Sequence, residues 1–219
     1  MTRGVFVTGT DTGVGKTVAA VALLRGLVDA GWRAVGMKPV ATGIDRASGV
    51  NEDVAALAAA GNVDAPLADR NPYAFVPAIA PHLAARDAGV TIDLGAIAAS
   101  HRRLCGLADE VVVEGAGGAM APIDGRSDML DIAVALGAPV ILVVGIRLGC
   151  LSHARLSMLA IRARGVRCAG WIASRIDPAM ARADDNVDWL RRELPAPCIA
   201  DLADPRPDPI APSTWRAPR

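Results

Sequence analysis

The chain has 219 residues, 52% of them apolar and 3% aromatic, and its 23 Lys and Arg are balanced by 23 Asp and Glu. That length is one domain's worth, at about 100–250 residues, and an apolar majority with a mean hydropathy of +0.33 argues against disorder. Zero formal charge and a pI near 6.8 remove the bulk basic footprint of a nucleic-acid-binding protein, so no nucleic-acid partner is expected.

With so few aromatics, Ala, Val, Leu and Ile must fill the core, which suits a parallel sheet covered by helices on both faces. In chain order, Val5–Thr8 reads as a strand and Thr17–Ala30 as a helix stopped by Gly31. Ala34–Lys38 reads as a strand ended by Pro39, and residues 51–60 as a helix. A Pro-punctuated segment, 71–81, follows without an assigned element. Asp93 caps a helix running to Leu107, and Glu110–Glu114 is a strand. Met129–Leu136 is a helix closed by Gly137, and Pro139–Gly145 is the most apolar strand. Ser152–Arg164 is a helix, Cys168–Ala173 a strand and Ala181–Leu194 a helix. Alternation at these lengths predicts an α/β fold of the P-loop nucleoside triphosphate hydrolase type, with a doubly wound, mostly parallel sheet. One domain is expected over residues 1–203. The Pro-rich tail, 204–219, reads as an extended surface strap or a partly disordered end.

Met1-Thr2-Arg3-Gly4 runs straight into a short strand and has no apolar signal region, and no span reaches the ~18 apolar residues of a membrane helix. No membrane partner is expected. The four cysteines, Cys105, Cys150, Cys168 and Cys198, are far apart and form no CxxC pair. Reduced, buried thiols in the cytosol are the expectation.

The strongest motif is Gly9-Thr10-Asp11-Thr12-Gly13-Val14-Gly15-Lys16-Thr17, which follows the first strand and opens the first helix. Glycines let the backbone curl so that N–H groups face a polyphosphate; Lys16 then reaches the β/γ-phosphates and the Thr17 hydroxyl ligates Mg²⁺. The usual GxxxxGK[ST] spacing would put glycine at Thr10, whereas here Gly9 lies one residue earlier. A nucleoside triphosphate is expected to bind.

Two carboxylates are candidates to complete the metal site. Glu114 ends an apolar strand just before Gly115-Ala116-Gly117-Gly118, where carboxyl ends of strands form the ligand crevice. An ordinary loop carboxylate is the bland alternative. Asp53 sits near a helix start, where it could equally be an N-cap. Lys38, one of only two lysines, ends the second strand and reads as a point charge for an anionic substrate group rather than a solvated surface residue. Thr42 nearby could donate its hydroxyl or cap a turn.

No Asn-Lys-x-Asp run supports a GTPase base site, and no Gly-x-Ser-x-Gly elbow is present. His82, His101 and His153 are scattered. Asp11 stands where the phosphate loops of partition-type ATPases carry a second lysine, which counts against a nucleotide-switched ATPase of the ParA/MinD type. Gly149 to Ala154 could be read as a Cys/His pair, but a helix N-terminus able to hold a carboxylate is simpler.

Together these segments resemble the dethiobiotin synthetase family. The matching stretches are 6–12 with 14–17, 37–43, Asn71-Pro72-Tyr73, Ala80-Pro81-His82, 113–118, 139–145, 148–154 and 169–173, in order over about residues 5 to 200. The resemblance implies an ATP-dependent cyclo-ligase that closes a ureido ring on 7,8-diaminononanoate with CO₂, in biotin biosynthesis. One amine takes up CO₂ as a carbamate, the carbamate attacks the γ-phosphate, and the second amine captures the resulting carbamic-phosphoric anhydride.

By resemblance, Lys38 and Lys16 are catalytic, and Thr17, Asp53 and Glu114 hold Mg²⁺. Thr12, residues 13–18 and 115–117 line the nucleotide, with Gly13, Val14, Gly15 and Val18 around the phosphates and Gly115, Ala116 and Gly117 after the strand. Thr10 and Thr42 lie on the diamine side. A cytoplasmic homodimer is implied, with Gly149, Cys150, Leu151 and Ser152 receiving the substrate carboxylate near the partner's site. Where the family often places an Asn that reads adenine, this chain has Ser174 followed by Arg175, and residues 203–205 match poorly.

Overall fold

A computed structural model describes residues 4–216. The readings made on Met1–Arg3 and on residues 217–219, Pro218 included, lie outside the described residues. The strands are β1 (Val5–Gly9), β2 (Ala34–Met37), β3 (Val40–Thr42), β4 (Tyr73–Phe75), β5 (Glu110–Glu114), β6 (Val140–Gly145), β7 (Cys168–Ser174) and β8 (Cys198–Leu202). The helices are α1 (Lys16–Asp29), α2 (Glu52–Ala60), α3 (Leu67–Arg70), α4 (Pro81–Asp87), α5 (Leu94–Leu107), α6 (Met129–Leu136), α7 (Cys150–Ala163) and α8 (Ala183–Glu193).

Six strands form a wholly parallel sheet in the order β2-β5-β1-β6-β7-β8. The predicted α/β fold is therefore present. Successive side chains of a strand point to opposite faces, and both faces are apolar. Phe6, Val113, Leu142 and Trp171 join the core beneath α5, α6, α7 and α8. Val5, Val7, Val112, Ile141 and Val143 join the core beneath α1. This two-sided burial is why the strands read as unbroken apolar runs.

Helix boundaries follow local chemistry. Asp93 accepts from the Gly95 N–H, as expected of a cap. Asp128 and Asp131 form a capping box on α6, and Gly137 closes it in the left-handed region at φ 60°. α7 begins at Cys150, two residues before the expected Ser152, because Gly149 at φ 95° turns the chain into the helix earlier.

Three strands were not anticipated. β3 and β4 pair in a separate two-stranded parallel sheet, Val40 opposite Tyr73, and three residues are too few to show a period of two. β8 is a half-exposed edge strand whose Cys-Ile-Ala-Asp-Leu lacks an apolar run. Beyond it the described part of the tail, up to Arg216, lies across α1. Ile210 donates its N–H to the Ala22 carbonyl at 3.0 Å, and Ile210 and Trp215 are buried in the α1-side core. The segment has no helix or strand until a 3-10 turn at Pro212–Thr214, and its two large apolar side chains, Ile210 and Trp215, anchor it.

Because all six strands run parallel, their carboxyl ends lie along one edge of the sheet. The phosphate loop follows β1, Lys38 follows β2, and Glu114 ends β5 opposite Val7 of β1. Ligands of open α/β sheets bind at such an edge.

Candidate active site

The loop after β1 folds back over its own strand. A Cβ on Gly9 would lie 2.6 Å from Val14 Cγ2 and 3.2 Å from Lys16 Cγ, so the glycine one place earlier than usual permits this close return. Gly15 caps α1 at φ 85°, and a Cβ there would lie 2.6 Å from Ser174 Oγ. Glycine is therefore needed at position 15 for both conformation and space. No side chain caps α1, so the N–H groups of its first turn remain available for an anion.

Four charged groups converge in a cleft of about 420 Å³ bordered by this loop. Lys38 Nζ donates to Glu114 Oε1 at 2.5 Å, to Asp53 Oδ2 at 2.7 Å and to the Gly115 carbonyl at 3.3 Å. The Thr17 hydroxyl lies within hydrogen-bonding distance of Asp53 Oδ1 at 2.7 Å and Glu114 Oε1 at 2.9 Å. Lys16 Nζ donates to the Asp11 carbonyl at 2.9 Å. Lys38 is 5% exposed and Glu114 0% exposed, so these are desolvated charges that must satisfy one another.

Their ionisation follows from that crowding. Burial, and after it the neighbouring Lys38 ammonium, lowers Lys16 from its ordinary value to about 8. Burial also opposes charge on Lys38, but the Glu114 and Asp53 carboxylates outweigh it and hold that ammonium above the ordinary lysine value. Burial raises the Glu114 carboxyl, and Lys38 offsets this only in part. For Asp53 burial is outweighed by Lys38 and by the Thr17 hydroxyl, so its pKa is lowered.

A pH dependence follows for phosphate binding. Only charged Lys16 attracts phosphate, so affinity is full below its pKa and falls as pH rises through about 8. Calorimetry should give a Kd for Mg-ATP about tenfold higher at pH 9 than at pH 7, since the protonated fraction drops to about a tenth.

The donor set also fits Mg²⁺. Thr17, Asp53 and Glu114 present hard oxygens at one point, and Glu114 Oε2 is buried without a hydrogen-bond partner among the described residues. Such an orphaned carboxylate oxygen suits a hard divalent cation. Among the described residues no group of three or more His, Cys, Asp and Glu able to hold a metal ion is present, so the candidate here rests on two carboxylates and the Thr17 hydroxyl.

Residues 3–206 match the family model AAA_26, described as an AAA domain. The chain belongs to this family. It is a P-loop ATPase family that includes dethiobiotin synthase. Among solved structures, the MinD cell division protein of Aquifex aeolicus is similar at 18% identity and a TM-score of 0.55, over 95% of this chain and 88% of that one. MinD of Pyrococcus horikoshii, solved with Mg-ADP, is similar at 18% identity and TM-score 0.55, over 94% and 83%. The signal recognition particle receptor FtsY of Elizabethkingia anophelis gives 17% and 0.53 over 92% of this chain and 58% of its own length. At such identities the likeness is one of fold. Among the described residues no helix is long and apolar enough to cross a membrane.

Within this AAA-domain chain, most of the expected site residues do share the cleft. Thr12, Gly13, Gly15, Lys16, Thr17 and Val18 line it from the loop and α1. Lys38, Thr42, Asp53, Glu114, Ala116 and Gly117 line it from the other strand ends. Val14 is instead a core side chain, and Gly115 contributes the carbonyl that accepts from Lys38. Thr10 places its hydroxyl on the Gly145 N–H at 3.3 Å. Ser174 is buried against Gly15. Arg175 is engaged by Asp201 and Asp184, each at 2.7 Å. Gly149, Cys150, Leu151 and Ser152 form the start of α7, with Cys150 buried.

The open choice at Asp53 is resolved by Asn51. Asn51 is the cap of α2, accepting from the Asp53 and Val54 N–H groups, which leaves the Asp53 carboxylate free to meet Lys38 and Thr17. Asn51 also donates to the Thr42 carbonyl at 3.0 Å, fixing the loop that carries Thr42. Asn71 donates to the Lys38 carbonyl at 2.7 Å. Neither supporting role was anticipated, although an Asn before an apolar helix is a cap signal that could have identified Asn51.

Proposed function

We propose that the chain is a dethiobiotin synthetase, joining CO₂ to 7,8-diaminononanoate with cleavage of ATP to ADP and phosphate. The observation that carries this reading is Lys38. A phosphate loop needs Lys16 to hold nucleotide, but a second buried lysine, delivered by β2 and held by Asp53 and Glu114, serves an anion beyond the nucleotide.

One diamine nitrogen adds to CO₂ and loses a proton, giving a carbamate. The carbamate oxygen attacks the γ-phosphorus, the bond to ADP breaks, and a carbamic-phosphoric anhydride results. The second amine then attacks the carbonyl carbon and expels phosphate, closing the five-membered ring. Lys16 steadies the phosphates of ATP, and Lys38 meets the carbamate oxygen and the phosphoryl group in transfer. Thr17, Asp53 and Glu114 would hold Mg²⁺, which supplies neutralisation of phosphate charge. Phosphoryl transfer depends mainly on such positioning and charge neutralisation. Holding the carbamate beside the second amine makes ring closure intramolecular.

The diamine's remote carboxylate is assigned to the first turn of α7, residues 149–152, which no side chain caps. A second copy of the chain is assigned to the adjoining apolar surface, where Leu148, Leu156 and Leu159 are 92%, 62% and 59% exposed.

The likeness to MinD supports a second reading, a nucleotide-switched ATPase. One experiment separates the two. Pure protein is given Mg-ATP, bicarbonate and 7,8-diaminononanoate, while phosphate release and product mass are followed together. Phosphate that requires the diamine, with a dethiobiotin mass, supports the ligase; diamine-independent phosphate without ring product supports the switch. Asp53→Asn should raise the Mg²⁺ concentration for half-maximal turnover about tenfold, the equivalent of losing one charge-assisted contact of ~1.5 kcal/mol. A Mg²⁺ titration measures this.

A further inference from the structure

Asp11 is an anomaly in a loop whose task is to receive an anion. Its Oδ1 accepts the Thr12 N–H at 2.7 Å, and its carbonyl accepts Lys16 Nζ at 2.9 Å. The other carboxylate oxygen, Oδ2, meets Arg147 Nη2 at 2.5 Å. Arg147 comes from the segment between β6 and α7, 136 positions along the chain.

The strand leading into that segment, β6, and the phosphate loop are knitted together at three points. The Thr10 N–H donates to the Val143 carbonyl at 2.9 Å, and the Thr10 hydroxyl accepts the Gly145 N–H at 3.3 Å. A Cβ on Gly145 would lie 2.8 Å from Val14 Cγ1. The backbone of β6 thus holds Arg147 in reach of Asp11 whether or not the side chains pair.

We propose that Arg147 is a positioning residue of the phosphate loop: it neutralises Asp11 and holds that carboxylate at the rim, where it does not repel an incoming polyphosphate. Without Arg147, an uncompensated negative charge sits on the residue whose carbonyl holds Lys16. Like charges at this separation disfavour binding, and partial exposure of both side chains, 40% and 49%, limits the penalty. The inference concerns nucleotide binding alone and stands or falls separately from the ligase reading.

The test is a double-mutant cycle on the full chain, with binding of the non-hydrolysable ATP analogue Mg-AMPPNP measured by calorimetry. Arg147→Ala should raise Kd about fivefold, the fold-change equivalent to ~1 kcal/mol for an exposed charge pair. Arg147→Lys should keep Kd within about twofold of the parent, because any cation at the rim neutralises Asp11. In an Asp11→Asn background, Arg147→Ala should change Kd by less than about twofold, since no charge remains to be neutralised. The fivefold effect should also shrink between about 0.05 and 0.5 M salt as screening sets in.

An equal loss of affinity in both backgrounds would mean that Arg147 contacts phosphate directly, and would overturn the proposal. So would an unchanged Kd for Arg147→Ala. A lower melting temperature with unaltered affinity would reduce Arg147 to a structural tether, and would overturn it as well.

Discussion

Lys38→Met is expected to lower diamine-dependent phosphate release by at least about a hundredfold, the range seen when one preorganised electrostatic donor is removed from a reacting oxyanion. The ammonium is 5% exposed, and its charge is sustained by Glu114 at 2.5 Å and Asp53 at 2.7 Å. Methionine keeps the stem's length and flexibility but brings no charge. Mg-ATP calorimetry on the same variant separates a loss of chemistry from a loss of binding. Stability should also fall, because removing one partner strands a buried carboxylate at a cost of ~3–5 kcal/mol. Glu114, already raised by burial, would then take up a proton more readily. The melting temperature of the variant, relative to the parent, should therefore drop further at pH 8 than at pH 6. Unaltered ring formation in Lys38→Met would remove the observation on which the proposed function stands.

Gly26→Ala should lower the melting temperature, against the rule for helices. Gly26 lies inside α1, where propensity alone favours Ala by ~1 kcal/mol. A Cβ at this position, however, would lie 1.9 Å from the Ile210 carbonyl oxygen and 2.6 Å from its carbon. Ile210 cannot retreat freely, since its N–H is bonded to the Ala22 carbonyl and its side chain is buried. Five residues on, Trp215 is buried too, and Arg216 lies over the Trp32 ring at 4.6 Å while pairing with the buried Glu110. Overpacking of this kind costs ~1–3 kcal/mol. Set against the propensity gain, the net cost is ~0–2 kcal/mol, a fall of up to about 8 °C at roughly 2–4 °C per kcal/mol for a chain of this size. A differential scanning measurement decides it, and a higher melting temperature would mean that the tail does not rest on α1.

These two positions mark how much could be read in advance. The phosphate loop was legible because strand, glycine turn and Lys16-Thr17 are contiguous, and their chemistry depends on local backbone shape. The long strands were legible because burial on both faces leaves unbroken apolar runs such as Val140 to Val144. Glu114 stood out as a charge that ends such a run. Asp53 did not, because an acid in the first turn of a helix serves as well for a cap as for a ligand; the choice depended on Asn51 taking the cap.

The α/β class and the phosphate loop between β1 and α1 can be read from the residues alone. Hydrophobic period, turn residues and loop spacing are all short-range properties. Folding brings Lys38 to Glu114 across 76 positions, Asp11 to Arg147 across 136, and the proline-rich tail onto α1 at Gly26. Such pairings depend on which strands become neighbours and which helices cover them. That outcome is settled by the burial of both sheet faces together, and no local pattern encodes it.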